Sequence, residues 1–519
     1  MKDANRTPHP NDERSSANNC NGQIRQFYAG KHVLLTGCTG FLGIVAVEKI
    51  LRTCKEISKL YIMIRQKKGI SVEERLNHFL KNDIFDKLRE MNPNFMEKIE
   101  VIYGDLEKED LGFSPEDRRR LVENVNVIIH NASMVYFVAK VSRILRTNVI
   151  ATQKLLELAR ECRHLMAFVY VSTAYSHHYN QTIEEKFYPP PADLKLIKDL
   201  IRADEENAAG VTKEVVQSMV DKWINIYSFS KATAEELVRD FARKTSLPCI
   251  VYRPSIVIST YKEPIPWIGN KNGPVVLISA GMNGYLHVLY WYEHVTIDMI
   301  PVDMTINGLL AAIWDFVVNR KSNEPQVYNY GSSDWNPLKV FEGCAQGIEI
   351  LRKNPSVKAV WYPFFICSNN ILVFLLLHTL CHVLPSLFID LFRLLRGKKP
   401  VLVRILFSVT KNYRLLSYFA RSEWIIKADK LKEIQTRMNK VDLEEFPCDL
   451  GSVDWYKGIE RFLMALRKLQ NEPPYASIEA KRKNRNLMIL HYTVCGLFAL
   501  FSLYIFYTIT SSFISFLSA

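Results

Sequence analysis

In the stretch NIYSFSKATAEEL, residues 225–237, Tyr227 and Lys231 stand at i and i+4, so a helix places a phenol and an ammonium one turn apart. A free phenol titrates near about 10 and is a poor proton source at neutrality. A cation one turn away stabilises the phenolate, and proton exchange with a carbonyl oxygen becomes practical. Taken alone, Y-x-x-x-K is common on solvated helix faces. Its place in this chain gives it chemical meaning, because it follows a nucleotide-type loop and five strand-like runs.

That loop is TGCTGFLG, residues 36–43, directly after a β-branched apolar run and opening an apolar pattern at helical spacing. One glycine permits the tight turn, one lets backbone approach a pyrophosphate, and one lets the helix pack on the sheet. The helix N-terminus then meets the negative charge. Thr36, Gly37, Thr39, Gly40, Phe41, Leu42 and Gly43 are therefore expected against a dinucleotide. After the next strand-like run an NAD site carries Asp or Glu for the ribose hydroxyls, whereas IRQKKG offers Arg65, Lys67 and Lys68. A cation there suits a 2′-phosphate, so NADPH is the expected cofactor and Arg65, next to the strand, its contact.

The elements that must position these groups alternate. Strand-like runs at 59–66, 98–106, 125–133, 166–176 and 248–258 are separated by helical stretches, and nearly continuous apolar strands imply a parallel sheet covered on both faces. The expected fold is doubly wound α/β, with a substrate lobe threaded through the mixed pattern up to about residue 355. With 519 residues, two or three structural units are expected. The opening 1–28 reads as a disordered tail without an apolar h-region, 29–355 as the nucleotide-binding unit, and 356–470 as a helical domain.

A formal charge of +13 suits nucleic acid or lipid headgroups, and the distribution favours lipid. The dense groups Arg393, Arg396, Lys398, Lys399 and Lys481, Arg482, Lys483, Arg485 flank apolar segments rather than an aromatic-studded stripe. Ten cysteines without a C-x-x-C pair indicate neither a disulfide framework nor a metal site. His177 and His178 lack partners at metal-ligand spacing and read as a polar loop.

Residues 361–395 are dense in Leu, Phe and Val and read as a membrane-surface or substrate-tunnel helix pair, with a transmembrane hairpin or buried core as alternatives. No Asp, Glu, Lys or Arg follows Arg485, and 486–519 reads as a transmembrane tail anchor. The preceding KRKNR puts the catalytic body in the cytosol. The endoplasmic reticulum is favoured over the peroxisome, since SFLSA carries no peroxisomal S-K-L.

Taken in order, TGCTGFLG, LYIMIRQKKG, GDL, HNAS, TNVIAT, VYVSTAYS, YSFSK and YRPSIV resemble the extended short-chain dehydrogenases/reductases. With NGP, IPVDM and AVWYPF following, the chain resembles the fatty acyl-CoA reductases, the male-sterility-type family, from about residue 30 to 469. The resemblance implies NADPH-dependent reduction of a long-chain fatty acyl-CoA to a primary alcohol through an aldehyde, at a lipid bilayer. It implies Tyr227 as proton donor, Lys231 as its modulator and nicotinamide-ribose ligand, and Thr173, with Ser172 second, as the hydroxyl that orients the carbonyl. It implies Asp105 and Leu106 beside the adenine, Asn131 and Ala132 at the cofactor's midsection, Arg253, Pro254 and Ser255 near the nicotinamide, and Asn148 in support.

Two departures stand out: Cys38 replaces the family's usual Gly or Ala, and PIPWIGN at 264–270 lacks the glycine of the family's PGW. The second puts acyl-chain preference in doubt. A membrane-bound hydroxysteroid or sterol dehydrogenase shares the glycine loop and the Tyr–Lys pair but not Arg65 with the C-terminal block. A non-catalytic membrane scaffold fits poorly with Tyr227, Lys231 and Thr173 all present.

Overall fold

The computed structural model describes residues 22–66, 69–135, 140–207, 210–264, 266–271, 273–320 and 322–518. They form two compact units through which the chain passes repeatedly. The first holds the described residues up to Gly269 with Asp298–Leu338 and Trp424–Val453; the second holds Asn270–Ile297, Lys339–Glu423 and the described residues from Asp454 onward.

The first unit is built on a seven-stranded sheet. Its strands are β1 His32–Thr36, β2 Lys59–Ile64, β3 Ile99–Tyr103, β4 Val127–His130, β5 Ala167–Val171, β6 Cys249–Pro254 and β7 Gln326–Tyr330, in the spatial order 7-6-5-4-1-2-3. Every pairing is parallel, from His32 opposite Lys59 to Tyr330 opposite Pro254. The expected doubly wound α/β fold is thus present, and β7 is a seventh strand that the sequence pattern did not single out. Helices on both faces bury the apolar strand side chains. Leu155, Leu156 and Leu158 of helix Ala151–Glu161 and Val238 of helix Ile226–Thr245 join Ile128, Phe168 and Val251 in one cluster. A buried leucine or valine contributes about 1.5–3 kcal/mol, so this packing fixes where the helices sit.

Helix Ile226–Thr245 begins at Asn225, whose side chain accepts from the Ser228 N–H at 2.8 Å. The cap sets the helix start, and with it the register of Tyr227 and Lys231. Ile226 and Phe229 pack with Ile144, Leu145, Ile197 and Trp223, which holds the first turn down.

The disordered tail expected over 1–28 ends sooner. Residues 1–21 lie outside the described residues, and Gln23–Tyr28 is a helix with Ile24 and Tyr28 buried. Its first N–H groups donate to the Asp442 carboxylate at 3.1 and 3.0 Å, and the Tyr28 hydroxyl donates to the Leu310 carbonyl. Two apolar anchors and a carboxylate cap make order favourable where composition alone suggested none. The helical stretch expected over 356–470 is divided: Trp424–Val453 belongs to the first unit, where Ile425–Ile426 pairs in parallel with Thr182–Ile183.

The second unit contains helices Pro274–Met282, Val340–Lys353, Leu402–Arg421 and Trp455–Leu469, and a two-stranded parallel pair of Val288–Tyr290 with Ile366–Ser368. Two of its helices, Ile371–Leu395 and Ile478–Ser518, are long and apolar enough to cross a membrane. The expected helix pair over 361–395 is instead one helix, continuous through a π-helical turn at Thr379–Val383.

A Cβ at Gly43 would fall 2.7 Å from the Cys38 Cα, so Gly43→Ala overpacks the loop against its own helix. Alanine normally stabilises a helix by about 1 kcal/mol over glycine. Here the clash wins, and a net loss of about 1–3 kcal/mol is expected. Gly347→Ala, in helix Val340–Lys353 with only an ordinary 3.8 Å contact, should raise stability by about 0.5–1 kcal/mol. Thermal denaturation of both variants checks the pair; a Gly43→Ala protein as stable as Gly347→Ala would refute the packing argument.

Candidate active site

β1, β4 and β5 end together at the carboxyl edge of the sheet, where doubly wound folds bind their ligands. β1 runs into the glycine turn. Gly37 has φ of 72°, and a Cβ on it would lie 2.7 Å from the backbone of Ala132, so only glycine lets the turn meet the extension of β4. The Gly40 N–H donates to the Gly37 carbonyl at 3.0 Å, and Gly40 precedes helix Phe41–Thr53. Thr39 and Gly40 are exposed and Phe41 and Leu42 half-buried, so the helix presents unpaired N–H groups and the positive end of its dipole outward. This cradle fits a pyrophosphate.

The neighbouring residues brace it. The Ala132 N–H donates to Thr36 Oγ1 at 3.2 Å and Asn131 Nδ2 to the Gly37 carbonyl at 3.4 Å. His130 bridges Thr36 Oγ1 at 2.8 Å and Thr152 Oγ1 at 3.0 Å; burial, followed by the charge of Lys231, pushes its imidazole down to about 3. Cys38 is buried, its thiol directed at the Met63 carbonyl and pushed up to about 12 by burial.

Arg65 follows β2 and faces two carboxylates, Glu107 at 2.9 Å and Asp105 at 3.8 Å; Glu107 also pairs with Arg143 at 3.0 Å. Leu106 packs against the core. Lys67 and Lys68 lie outside the described residues. A second guanidinium, Arg75 on helix Val72–Leu80, donates to Thr39 Oγ1 at 3.5 Å and to the Arg65 carbonyl. Burial and then the charge of Arg65 lower the Arg75 pKa, and Arg75 has no ion-pair partner among the described residues. Two adjacent cations beside the glycine loop suit an anion. Arg75 was not found from sequence, because it lies on the polar face of a short helix 35 residues after Gly40.

At the end of β5, Tyr227 and Lys231 both approach Tyr170. The Lys231 ammonium lies 4.6 Å from the Tyr170 ring and donates to the Val171 carbonyl at 2.7 Å, while burial, then Glu235 and the neighbouring Tyr227, push the Tyr170 phenol up. The expected lowering of Tyr227 by Lys231 is not what this arrangement gives. Burial pushes the Tyr227 phenol up, while burial, opposed by Glu235, pushes Lys231 down to about 7. The ammonium donates to a backbone carbonyl, that of Val171. Asn148 occupies a π-helical turn, Arg146–Ile150, a feature common at functional sites. Its amide donates to Ser230 Oγ at 2.9 Å, and Ser230 donates to the Tyr227 carbonyl at 2.8 Å, so Asn148 braces the turn that carries Tyr227.

Ser172 and Thr173 part company. The Ser172 hydroxyl donates to Glu235, which also accepts from Ser176 Oγ at 2.8 Å, His177 Nε2 at 2.9 Å and Arg253 Nη2 at 2.5 Å. Burial works to raise the Glu235 pKa, but the Arg253 guanidinium and His177 hold the carboxyl well below the usual range. Thr173 accepts from the Tyr175 N–H at 3.3 Å and keeps its own proton to donate. Arg253, fully buried, is committed to Glu235 and the Glu184 carbonyl. Pro254 ends β6, and Ser255 Oγ is buried without a hydrogen-bond partner among the described residues, which fits a polar group of a bound nucleotide.

Glu235 itself was missed, although it continues the Tyr227–Lys231 spacing by one further turn. The reading of His177 and His178 as a polar loop is corrected. Both are buried, with His177 on Glu235 and His178 Nε2 accepting from the Ile224 N–H at 2.9 Å. Trp267, in the departing PIPWIGN stretch, is buried and donates to Asn82 Oδ1 at 3.0 Å; Ile265 lies outside the described residues.

A seven-stranded parallel sheet in this order, with a nucleotide cradle after β1 and a Tyr–Lys helix beside β5, defines an extended short-chain dehydrogenase/reductase, an oxidoreductase. Comparison narrows the class. Residues 35–309 match the NAD-binding model of the family described as male sterility protein, and residues 381–471 match that family's Sterile model. Fatty acyl-CoA reductase 1 of Mus musculus is 33% identical, with 89% of each chain covered, and fatty acyl-CoA reductase wat of Drosophila melanogaster is 32% identical over 95% of this chain and 94% of that one. The reductase domain of a non-ribosomal peptide synthetase from Mycobacterium tuberculosis shares the fold, with a TM-score of 0.56 at 18% identity over 86% of this chain and 96% of that one. The chain belongs to the fatty acyl-CoA reductase family.

Thr173→Val should lower kcat by about 10²–10³, the range for losing one donor to a developing oxyanion. Ser172→Ala should leave kcat within a few-fold and cost about 1–3 kcal/mol of stability, because it leaves Glu235 short of a donor. Steady-state kinetics and denaturation of the two variants distinguish the roles, and the reverse pattern would refute them.

The sign of the Lys231 shift sets a pH dependence. Its folded pKa lies below the unfolded one, so the ammonium is present at low pH and lost as pH rises through about 7. The kcat/KM profile, which reports the free enzyme, should fall on its basic side near pH 7. A flat profile up to pH 9 would contradict it.

Proposed function

We propose that the protein reduces long-chain fatty acyl-CoA thioesters to primary alcohols with NADPH, by way of the aldehyde and with release of CoA. The observation that carries this reading is that helix Ile226–Thr245, bearing Tyr227 and Lys231, lies against the end of β5, where Thr173 follows, two strands from β1 and its glycine turn, in a chain of this family. When bound, the reduced dinucleotide supplies hydride, twice per acyl group. Gly37, Gly40 and the N-terminus of helix Phe41–Thr53 would hold its pyrophosphate, and Arg65 with Arg75 its 2′-phosphate.

The chain's own groups manage charge and protons. Thr173 donates a hydrogen bond to the thioester oxygen, and Tyr227 stabilises the same oxygen as negative charge grows on it. The hemithioacetal collapses with loss of the CoA thiol. Tyr227 then gives its proton to the aldehyde oxygen in the second reduction, so that one acyl-CoA, two NADPH and two protons yield one alcohol, one CoA and two NADP⁺. A phenol pushed up by burial is a weak acid. Its use as donor therefore depends on Lys231 staying protonated within the helix turn it shares with Tyr227. No cysteine serves as a nucleophile in this scheme.

The product is nearly insoluble in water, and helix Ile478–Ser518 is the anchor that keeps the enzyme at a bilayer. Its first residues carry Lys481, Arg482, Lys483 and Arg485, the positive-inside signal for a cytosolic catalytic unit.

Incubation of the purified full chain with palmitoyl-CoA and NADPH, followed by mass spectrometry, should yield hexadecanol and CoA, with NADH far less effective. Tyr227→Phe should lose at least about 10²-fold in kcat, as expected for removing the acid. Oxidation of a sterol with NAD in place of acyl-CoA reduction, or an unimpaired Tyr227→Phe enzyme, would overturn the proposal.

A further inference from the structure

Helix Ile371–Leu395 is long and apolar enough to cross a membrane, yet with the helix that follows it forms a hairpin. At its end the chain turns through Gly397, at φ of 68°, and folds back as helix Leu402–Arg421. The turn is locked by Asp390, whose carboxylate accepts from the N–H groups of Val401 at 2.9 Å, Leu402 at 3.1 Å and Val403 at 2.9 Å. The one acidic charge of the apolar helix is thereby consumed as a cap for the returning one. The two helices run antiparallel: Asp390 near the end of the first caps the start of the second, and Phe374 near the start of the first lies with its ring tilted 6.1 Å from that of Tyr413, past the middle of the second.

The returning helix is rooted in the second unit: Val409 and Tyr413 are buried with Leu277, Ala280, Leu286 and Leu289, and the Tyr413 hydroxyl donates to the Tyr290 carbonyl at 2.5 Å. It carries Arg404, Lys411 and Arg421 along its length. If the first helix crossed a bilayer, the second and part of this folded body would have to enter the hydrocarbon beside it, with those cations. The tip would also have to be carried across with Arg393, Arg396, Lys398 and Lys399, against the positive-inside preference. None of these four forms an ion pair among the described residues, and Arg396, Lys398 and Lys399 are exposed.

The apolar outer surface is nevertheless unfit for water. Leu372 is 73% exposed, Phe388 68% and Phe407 on the returning helix 74%, with Leu376, Leu387, Leu391 and Leu395 also exposed. A contiguous apolar face ending in an unpaired cationic tip matches one environment, the interface of an anionic leaflet, where apolar side chains reach the acyl layer and the cations stay among phosphates.

We infer that Ile371–Arg421 is a monotopic hairpin that inserts shallowly into one leaflet and binds anionic lipid headgroups through Arg393, Arg396, Lys398 and Lys399, giving the enzyme a second membrane contact besides Ile478–Ser518. The inference rests on the bilayer-bound reading of the chain but not on its reaction. It also places an apolar surface of the second unit in the layer where long acyl chains reside.

The test uses the full chain in sealed vesicles, with Lys399→Cys at the tip and Glu479→Cys, just before the C-terminal helix, as the reference, each reacted with a membrane-impermeant maleimide. Vesicles of phosphatidylcholine alone are compared with vesicles containing a third phosphatidylserine. The tip should label from the same side as the reference without detergent, at least about fivefold more slowly in the anionic vesicles, and the difference should vanish in 0.5 M salt, as expected for headgroup attraction. Adding Arg396→Gln and Lys398→Gln should reduce the difference. A tip that labels only after detergent, when the reference labels before it, shows a crossing hairpin and overturns the inference. So does a tip whose rate ignores lipid charge. A chain that fails to float with vesicles of either composition overturns the anchoring reading as well, so the two failures are distinguishable.

Discussion

The candidate site depends on one buried carboxylate. Glu235 draws in Ser172, Ser176, His177 and Arg253, so a single side chain on helix Ile226–Thr245 ties together the end of β5, the turn after it and β6. A charge this deep is tolerable only because every lone pair is engaged and a guanidinium lies against it. Removing any partner would leave Glu235 short of a donor, which makes the arrangement costly to disturb. Thr173 follows Ser172 directly, and Lys231 precedes Glu235 by one helical turn. The placement of the hydroxyl relative to the phenol and the ammonium is therefore set by a fully buried group.

The same economy appears at the nucleotide cradle. Gly37 meets Ala132, Gly43 meets Cys38, and His130 is held neutral between two threonines. Each contact is too close to admit another atom or another charge. Binding there meets a surface already organised, with little of the ordering cost that a mobile loop imposes. The cationic side differs, because Arg65 is engaged with Glu107 and Asp105 while Arg75 holds no carboxylate among the described residues.

Much of this was legible in the chain. Apolar runs bounded by turn residues marked six of seven strands, and glycine spacing marked the cradle, because both follow from local geometry. The Tyr227–Lys231 pair was legible as a spacing, but its electrostatics were not: the partner of the ammonium is a backbone carbonyl 60 residues away. His177 was read as part of a polar loop for the same reason, since its partner is Glu235 across the fold. β7 escaped because QVYNY is five residues long and interrupted by a polar asparagine, Asn329, whose buried amide donates to the Ile183 and Lys427 carbonyls, neighbours no local pattern reveals. The helix at Gln23–Tyr28 escaped because its stabilising carboxylate, Asp442, lies more than 400 positions later.

That last pairing has a consequence for biogenesis. The nucleotide-binding unit recruits its closing pieces, Ile425–Ile426 beside Thr182–Ile183 and Asp442 above Ile24, from a segment that ends at Val453. A nascent chain that has already produced every strand of the main sheet still lacks them. Folding of the unit is therefore completed only after Val453 has been translated, and the apolar hairpin emerges before that moment while Ile478–Ser518 emerges after it. Chaperones that shield the hairpin in the interval would determine yield as much as the intrinsic stability of the finished enzyme.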